Sequence, residues 1–230
     1  MDRRIKIMGI FNATPDSFHA PSRYNRDVFG SGADIVDIGA CSTRPGSVPI
    51  SEEEEWARLE PVLASIPHTG ELISIDTFRA SIAAKACESI GPVIVNDVSG
   101  ASDPDMLPLV RRLGLRYVAT HPGRGNSIRD IYGYFRDFSE RLQGIDWILD
   151  PGFGFGKDKE ENLDILHNLG MFKDFGREIL AGVSMKRMTG GSAEGTREAQ
   201  AEALRNGAGI LRVHDVKDAL ETVRLYSSTI

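Results

Sequence analysis

Positive charge is in short supply in this 230-residue chain: 27 Lys and Arg face 33 Asp and Glu, a formal net charge of −6. That balance gives no support to binding of nucleic acid or an anionic membrane, both of which call for a basic face. Cysteine is scarcer still. Two residues, Cys41 and Cys87, provide neither a disulfide framework nor metal-site spacing, and they point to a reducing, cytoplasmic setting. No apolar run approaches the length of a membrane span, and the basic start MDRRIKIMGIF reads as a strand rather than a signal peptide. Low-complexity tracts and linkers are missing too, which argues for one domain over 1–230. Two phosphate-loop patterns also fail. In DPGFGFGKDKEEN (150–162), Asp158 follows Lys157 where a P-loop needs Ser or Thr, and Gly154-Phe155-Gly156 lacks the third glycine of a dinucleotide fingerprint.

What the chain has in quantity is short apolar runs alternating with helical patterns. Strand candidates are RIKIMGIF (4–11), ADIVDIGA (33–40), LISIDT (72–77), PVIVNDV (92–98), RYVATH (116–121), WILD (147–150), EILAGVS (178–184) and GILRVHDV (209–216). Most are continuously apolar, as strands covered on both faces are. Between them lie helical segments. The one at 51–67 opens with Ser51 and Glu54 at capping-box spacing and carries Trp56, Leu59, Leu63 and Ile66 on one face. Its acidic run 52–55 reads as a solvated helix start. The last segment spaces Val216, Ala219, Leu220 and Val223 for a helix. The first helix, within 25–34, is the weakest. Eight strands alternating with helices predict a single (β/α)8 TIM barrel, a parallel eight-stranded barrel with outer helices.

In such a barrel the site lies at the carboxyl ends of the strands. Those ends supply Asn12, Cys41 to Arg44, Asp76, Asn96 with Asp97, His121, Asp150, Lys186, Arg212 and His214. Any one of these alone reads as a capping residue; together they read as a polar ligand site. Arg44, Arg212 and His214 suit an anion, and Thr43 adds a hydroxyl. Asn12 offers the neutral oxygen that Mg²⁺ accepts when phosphate and water complete its shell. Asp76, Asn96 and Asp150 form an opposing set of acceptors, suited to a guanidine-like ring edge. Lys186 can point a donor at the ring, and Phe153 covers a ring or packs in the core. His121 reads equally as loop packing or ligand contact, while Asp37 and Asp97 read as loop holders accepting backbone N–H bonds.

The stretches IMGIFNATPDSF (7–18), DIVDIGACSTRPGS (34–47), ISIDT (73–77), VNDV (95–98), DPGFGFGK (150–157), SMKRMTG (184–190) and RVHDV (212–216) resemble the dihydropteroate synthase family, in that family's order and over the whole chain. The resemblance implies a pterin-binding barrel that joins hydroxymethyl-dihydropterin pyrophosphate to p-aminobenzoate, with Mg²⁺ and as a homodimer. It implies a metal and pyrophosphate contact at Asn12 and an anion pocket at Arg212 and His214. Asp76, Asn96, Asp150 and Lys186 fall in the pterin pocket, and Thr43, Arg44 and Pro45 in a loop over aminobenzoate. The chain departs from the family at HAPSRYN (19–25), at Cys41 where an acid is usual, and at Met185 where arginine is usual. Two other readings stay open: a methyltetrahydrofolate methyltransferase-like barrel, which has no leaving diphosphate, and a non-catalytic pterin-binding paralogue.

Overall fold

A computed structural model of the chain describes residues 4–13, 26–41, 50–184 and 186–228. Its eight strands are β1 (Lys6–Asn12), β2 (Ile35–Gly39), β3 (Leu72–Asp76), β4 (Ile94–Asp97), β5 (Arg116–Thr120), β6 (Asp146–Asp150), β7 (Leu180–Ala181) and β8 (Ile210–Val213). All pair in parallel in the order β6-β5-β4-β3-β2-β1-β8-β7. A parallel bridge between Leu149 and Ile179 joins the two edges and closes the barrel. Every expected strand is present, β7 only as two residues.

Seven α-helices cover the barrel among the described residues: α1 (Glu52–Leu63), α2 (Ala80–Ile90), α3 (Met106–Leu113), α4 (Ile128–Arg141), α5 (Lys159–His167), α6 (Ala193–Arg205) and α7 (Val216–Ser227). In the first helical position the described residues hold only a 3₁₀ turn, Arg26–Val28. Val28 lies close over β1, where a Cβ on Gly9 would fall 2.5 Å from its methyl group.

Strand side chains alternate between the barrel's two faces, so residues two apart share the lumen. Met8, Ile35, Ile94, Val118, Ile148, Leu180 and Ile210 form one buried apolar cluster, one residue from each strand except β3. Two residues earlier along their strands stand Lys6, Arg116, Asp146 and Glu178. These close the amino-terminal end with ion pairs Lys6–Glu178 (2.8 Å), Arg116–Asp146 (3.2 Å) and Arg116–Glu178. Two residues later stand Ile10, Asp37, Asn96, Thr120, Asp150 and Arg212, and Asp76 follows Ser74 in the same way on β3. An ionic plug, an apolar layer and a polar floor thus stack along one axis.

Helix α1 shows how a charge run is divided by helical geometry. Ser51 Oγ accepts from the Glu54 N–H at 3.2 Å, the half of the expected capping box that forms. Glu55 is not solvated as its neighbours suggested. At roughly 100° per residue the fourth acid of the run turns inward, where it is 1% exposed, accepts from Thr77 Oγ1 at 2.7 Å and pairs with Arg79. Arg79 also donates to the Ile50 carbonyl at 2.5 Å. The network ties the start of α1 to the carboxyl end of β3. Removing one partner of a buried pair strands the other charge, so Glu55→Ala is expected to cost about 3–5 kcal/mol in urea denaturation. A loss under about 0.5 kcal/mol would place Arg79 in water instead.

Candidate active site

The polar floor is held by one arginine among three acids. Arg212, on β8, donates from Nε to Asp37 Oδ2 at 2.7 Å and from Nη2 to Asp76 Oδ2 at 2.8 Å. Asn96 Nδ2 donates to the same Asp37 oxygen at 2.9 Å. Four strands, β8, β2, β3 and β4, are joined through the lumen by these three bonds. Burial alone disfavours the Arg212 charge, but Asp37 and Asp76 outweigh it and move its pKa up. Burial pushes the Asp76 carboxyl up to about 7, against the attraction of Arg212 and with repulsion from Asp37. Burial likewise raises Asp150, opposed by the Gly152 N–H bond and by Arg212.

The floor has more acceptors than donors. Asp37 Oδ1, Asp76 Oδ1, Asn96 Oδ1 and Thr120 Oγ1 are buried without a hydrogen-bond partner among the described residues. A buried acceptor left unpaired costs about 1–3 kcal/mol. Several in one layer of the barrel point to a ligand that brings N–H groups.

The glycine-rich stretch after β6 forms a knot beside this floor. Asp150 Oδ1 accepts from the Gly152 N–H at 2.8 Å. Gly152, Gly154 and Gly156 all have positive φ (74°, 86° and 63°), a region other residues rarely adopt. Lys157 folds back and donates to the carbonyls of Gly152 (2.8 Å) and Phe155 (3.3 Å). Burial lowers its pKa to about 8. Asn162, 4% exposed, accepts from the Gly154 N–H at 2.7 Å. The knot seats Lys186: a Cβ on Gly154 would lie 3.0 Å from its Nζ and 3.1 Å from its Cδ. The Lys186 ammonium stands 5.6 Å from the centre of the Phe155 ring, and its charge offsets part of the rise that burial imposes on the Asp150 pKa.

Several expected residues find their places here. Asp76, Asn96, Asp150 and Arg212 share the floor, and Lys186 flanks it beside the glycine knot. Asn12 ends β1, and His214 follows β8, its Nδ1 3.2 Å from Ser184 Oγ. Arg212, expected in an anion pocket, is bonded to two acids of the floor. Phe153 is 1% exposed within the apolar core, which excludes it as a ring cover; the half-buried neighbour Phe155 faces Lys186 instead. Asp37 binds two side chains across the barrel rather than loop N–H groups. Asp97 does hold its loop, accepting from the N–H groups of Ser99 and Ala101. His121 is buried in loop packing: Nε2 meets the Arg124 carbonyl at 3.1 Å and Nδ1 faces the Gly123 N–H and Lys157. Its pKa is lowered to about 4 by burial and by Lys157. Cys41 is 6% exposed, so the residue replacing the family's acid is enclosed. Thr43, Arg44, Pro45 and the HAPSRYN stretch lie outside the described residues.

The family model described as pterin binding enzyme matches residues 8–214. The dihydropteroate synthase of Bacillus subtilis is 34% identical over 247 residues, covering 95% of this chain and 86% of that protein. The chain belongs to the dihydropteroate synthase family. Solved structures of the family superpose along nearly its whole length. The Clostridium difficile dihydropteroate synthase, determined in the presence of pteroic acid, has a TM-score of 0.87 at 34% identity and covers 99% of this chain and 97% of its own. The Thermus thermophilus enzyme, in complex with 4-aminobenzoate, has a TM-score of 0.87 at 33% identity and covers 99% and 95%. The acid floor and glycine knot are therefore this chain's form of a dihydropteroate synthase barrel.

Read from sequence, Asp37 has only a loop-holding role, and Phe155, Lys157 and Asn162 have no role in the site. The period-two rule exposes the first: Asp37 follows Ile35 as Asn96 follows Ile94, Asp150 follows Ile148 and Arg212 follows Ile210. Gly154→Ala tests the knot, with Gly176→Ala as control, because Gly176 has φ 63° but no atom within 4 Å of an added Cβ. Both substitutions place alanine in left-handed backbone, at about 1–2 kcal/mol each. Only Gly154→Ala displaces Lys186, so turnover is expected to fall at least about tenfold below the control. Equal turnover would show that Lys186 does not depend on the knot.

Proposed function

We propose that the acid floor receives the 2-amino-4-oxo edge of a pterin and that the chain is a dihydropteroate synthase, a transferase that condenses 6-hydroxymethyl-7,8-dihydropterin pyrophosphate with p-aminobenzoate to give 7,8-dihydropteroate and pyrophosphate. The observation that carries this reading is the set of unpartnered buried acceptors at Asp76, Asn96 and Asp37 beside Asp150. A 2-aminopyrimidinone brings adjacent N–H donors in one plane, which two carboxylates and an amide oxygen can accept. A methyltransferase-like pterin barrel needs the same acceptors but no diphosphate site, and the relatives that match along the whole chain are synthases.

In the reaction the bond between the exocyclic methylene and the diphosphate oxygen breaks. A bond from the amine nitrogen of aminobenzoate to that methylene forms, and the amine loses a proton. The floor holds the ring while positive charge grows at the methylene; Asp76 and Asp150 favour that charge electrostatically. Lys186, beside the Phe155 ring, borders the same space and supplies a donor to the pterin. His214 and the Nη1 of Arg212, the guanidinium nitrogen bound to neither acid, face the departing anion. Thr43, Arg44 and Pro45 belong to the aminobenzoate side of the reading. These roles ask for positioning and electrostatics rather than proton transfer.

Magnesium fits this donor set as a companion of the diphosphate. Among the described residues no group of three His, Cys, Asp or Glu side chains forms a metal cage. A lone amide such as Asn12 suits a cation that takes its other ligands from phosphate and water, and when bound the ion neutralises leaving-group charge. We place the enzyme in the cytoplasm, with residues 1–230 as one pterin-binding domain and a homodimer as its assembly. No described helix is long and apolar enough to cross a membrane, and Cys41 and Cys87 form no disulfide.

Pyrophosphate release that requires aminobenzoate tests the activity, since neither a methyltransferase nor an inert paralogue produces it. Lys186→Ala is expected to lower it about 100- to 1,000-fold with an unchanged circular-dichroism spectrum. Near-normal turnover would remove Lys186 from the site.

Asp76 gives the binding a pH dependence. Its pKa of about 7 means the vacant floor holds a proton there under mildly acid conditions, and a ligand N–H can use Asp76 only once that proton leaves. Affinity for 6-hydroxymethylpterin is expected to rise with pH, up to about tenfold per unit, and to level off near 7. Calorimetric titrations in buffers of different ionisation enthalpy should show proton release below that point. Constant affinity across the range would mean Asp76 accepts nothing from the ligand.

A further inference from the structure

One oxygen of Asp37 counts among the unpartnered acceptors above; the other has no role yet, and the residue is fully buried in the middle of β2. One of its oxygens takes both the Arg212 Nε bond (2.7 Å) and the Asn96 Nδ2 bond (2.9 Å). The consequence for Asn96 is orientational. The two ends of a primary amide are nearly the same size, and only hydrogen-bond partners decide which end faces where. A carboxylate oxygen offers acceptors alone. Facing Asp37, Asn96 must present its NH₂, and its Oδ1 is left as a buried acceptor with no partner among the described residues. The same oxygen pins Arg212 so that Nη2 meets Asp76 Oδ2 at 2.8 Å, leaving Asp76 Oδ1 as a second such acceptor.

We infer that Asp37 is a positioning residue that sets the hydrogen-bond polarity of the floor, and that through Asn96 it makes the pocket select a 2-amino ring over the isosteric 2-oxo ring. The inference rests on the pterin reading of this site. A 2-amino group donates to the fixed Asn96 Oδ1. A 2-oxo group in its place sets two acceptor oxygens against each other, and a rotated amide would relieve that clash. With Asp37 replaced by asparagine, the amide oxygen still serves Arg212 Nε, but a turned side chain offers its NH₂ to residue 96, so Asn96 can turn over and the preference relaxes.

The test measures binding alone, with 6-hydroxymethylpterin and 6-hydroxymethyllumazine as the 2-amino and 2-oxo probes, by calorimetry on the intact chain. The parent protein is expected to prefer the pterin by about 100-fold, the discrimination that buried unpaired acceptors give. Asp37→Asn should weaken pterin binding and cut the preference at least about tenfold. The double variant Asp37→Asn with Asn96→Asp should recover it. There residue 37 accepts from Arg212 Nε and donates its NH₂ to the carboxylate at 96, whose second oxygen again faces the ligand, and the charge of the floor is unchanged. If Asp37 only neutralised Arg212, Asp37→Asn would weaken both probes equally; an unchanged ratio in the folded variant overturns the inference. So does a double variant no more selective than Asp37→Asn. Should Asp37→Asn fail to fold, the double variant alone decides, a parental ratio supporting the inference and a lost one refuting it. Failure of the parent to bind either probe would instead sink the pterin reading itself, and this inference with it.

Discussion

The ion pairs of Arg212 with Asp37 and Asp76 are the constraint on which the rest of the site depends. Three acids inside one barrel layer repel one another and resist burial; a single guanidinium makes the arrangement tolerable. Arginine suits the position because its planar fork serves Asp37 and Asp76 through two different nitrogens, a geometry that a lysine point charge cannot reproduce. The layer keeps a surplus of acceptors, and that surplus is its chemical character. A buried site with unsatisfied oxygens is costly while vacant and selective for donors when filled. Stability and recognition are therefore opposed in the floor, and the apolar layer and ionic plug beneath it supply the rigid support.

The second organising device is the glycine knot. A lysine (Lys157) and an asparagine (Asn162) tie a stretch of backbone that alternates glycine with Pro or Phe. Left-handed glycines let the chain turn without side chains on that face, and the space is taken by Lys186 from the loop after the neighbouring strand β7. The Asp150 at the head of the same stretch belongs to the floor. One loop thus joins the floor acid Asp150 to the seat of Lys186.

Much of this was legible in the sequence. The eight strands follow from apolar runs, and four floor residues, Asp76, Asn96, Asp150 and Arg212, were found because each stands near a strand's carboxyl end. The misreadings have physical causes. Asp37 resembles a loop holder in sequence because its partners lie on β4 and β8, 59 and 175 residues away. Glu55 looked solvated because a run of four acids shows no periodicity, although a helix must turn one of them inward. Phe153 and Phe155 are flanked alike by glycine, so only the folded loop separates them, one in the core and the other facing Lys186. The separate anion and pterin pockets were inferred from residue types, and only the lumen geometry shows that Arg212 serves the acids first.

In the reading proposed above, Arg212 stays bound to Asp37 and Asp76 while the oxygens left unpaired in the floor take the ligand. A crystal structure with bound 6-hydroxymethylpterin tests it most directly. Ring N–H groups are expected within about 2.7–3.2 Å of Asp76, Asn96 Oδ1 and Asp150, with both Arg212 ion pairs intact. A ring bound elsewhere, or an Arg212 released from Asp37 to meet the ligand, would contradict it.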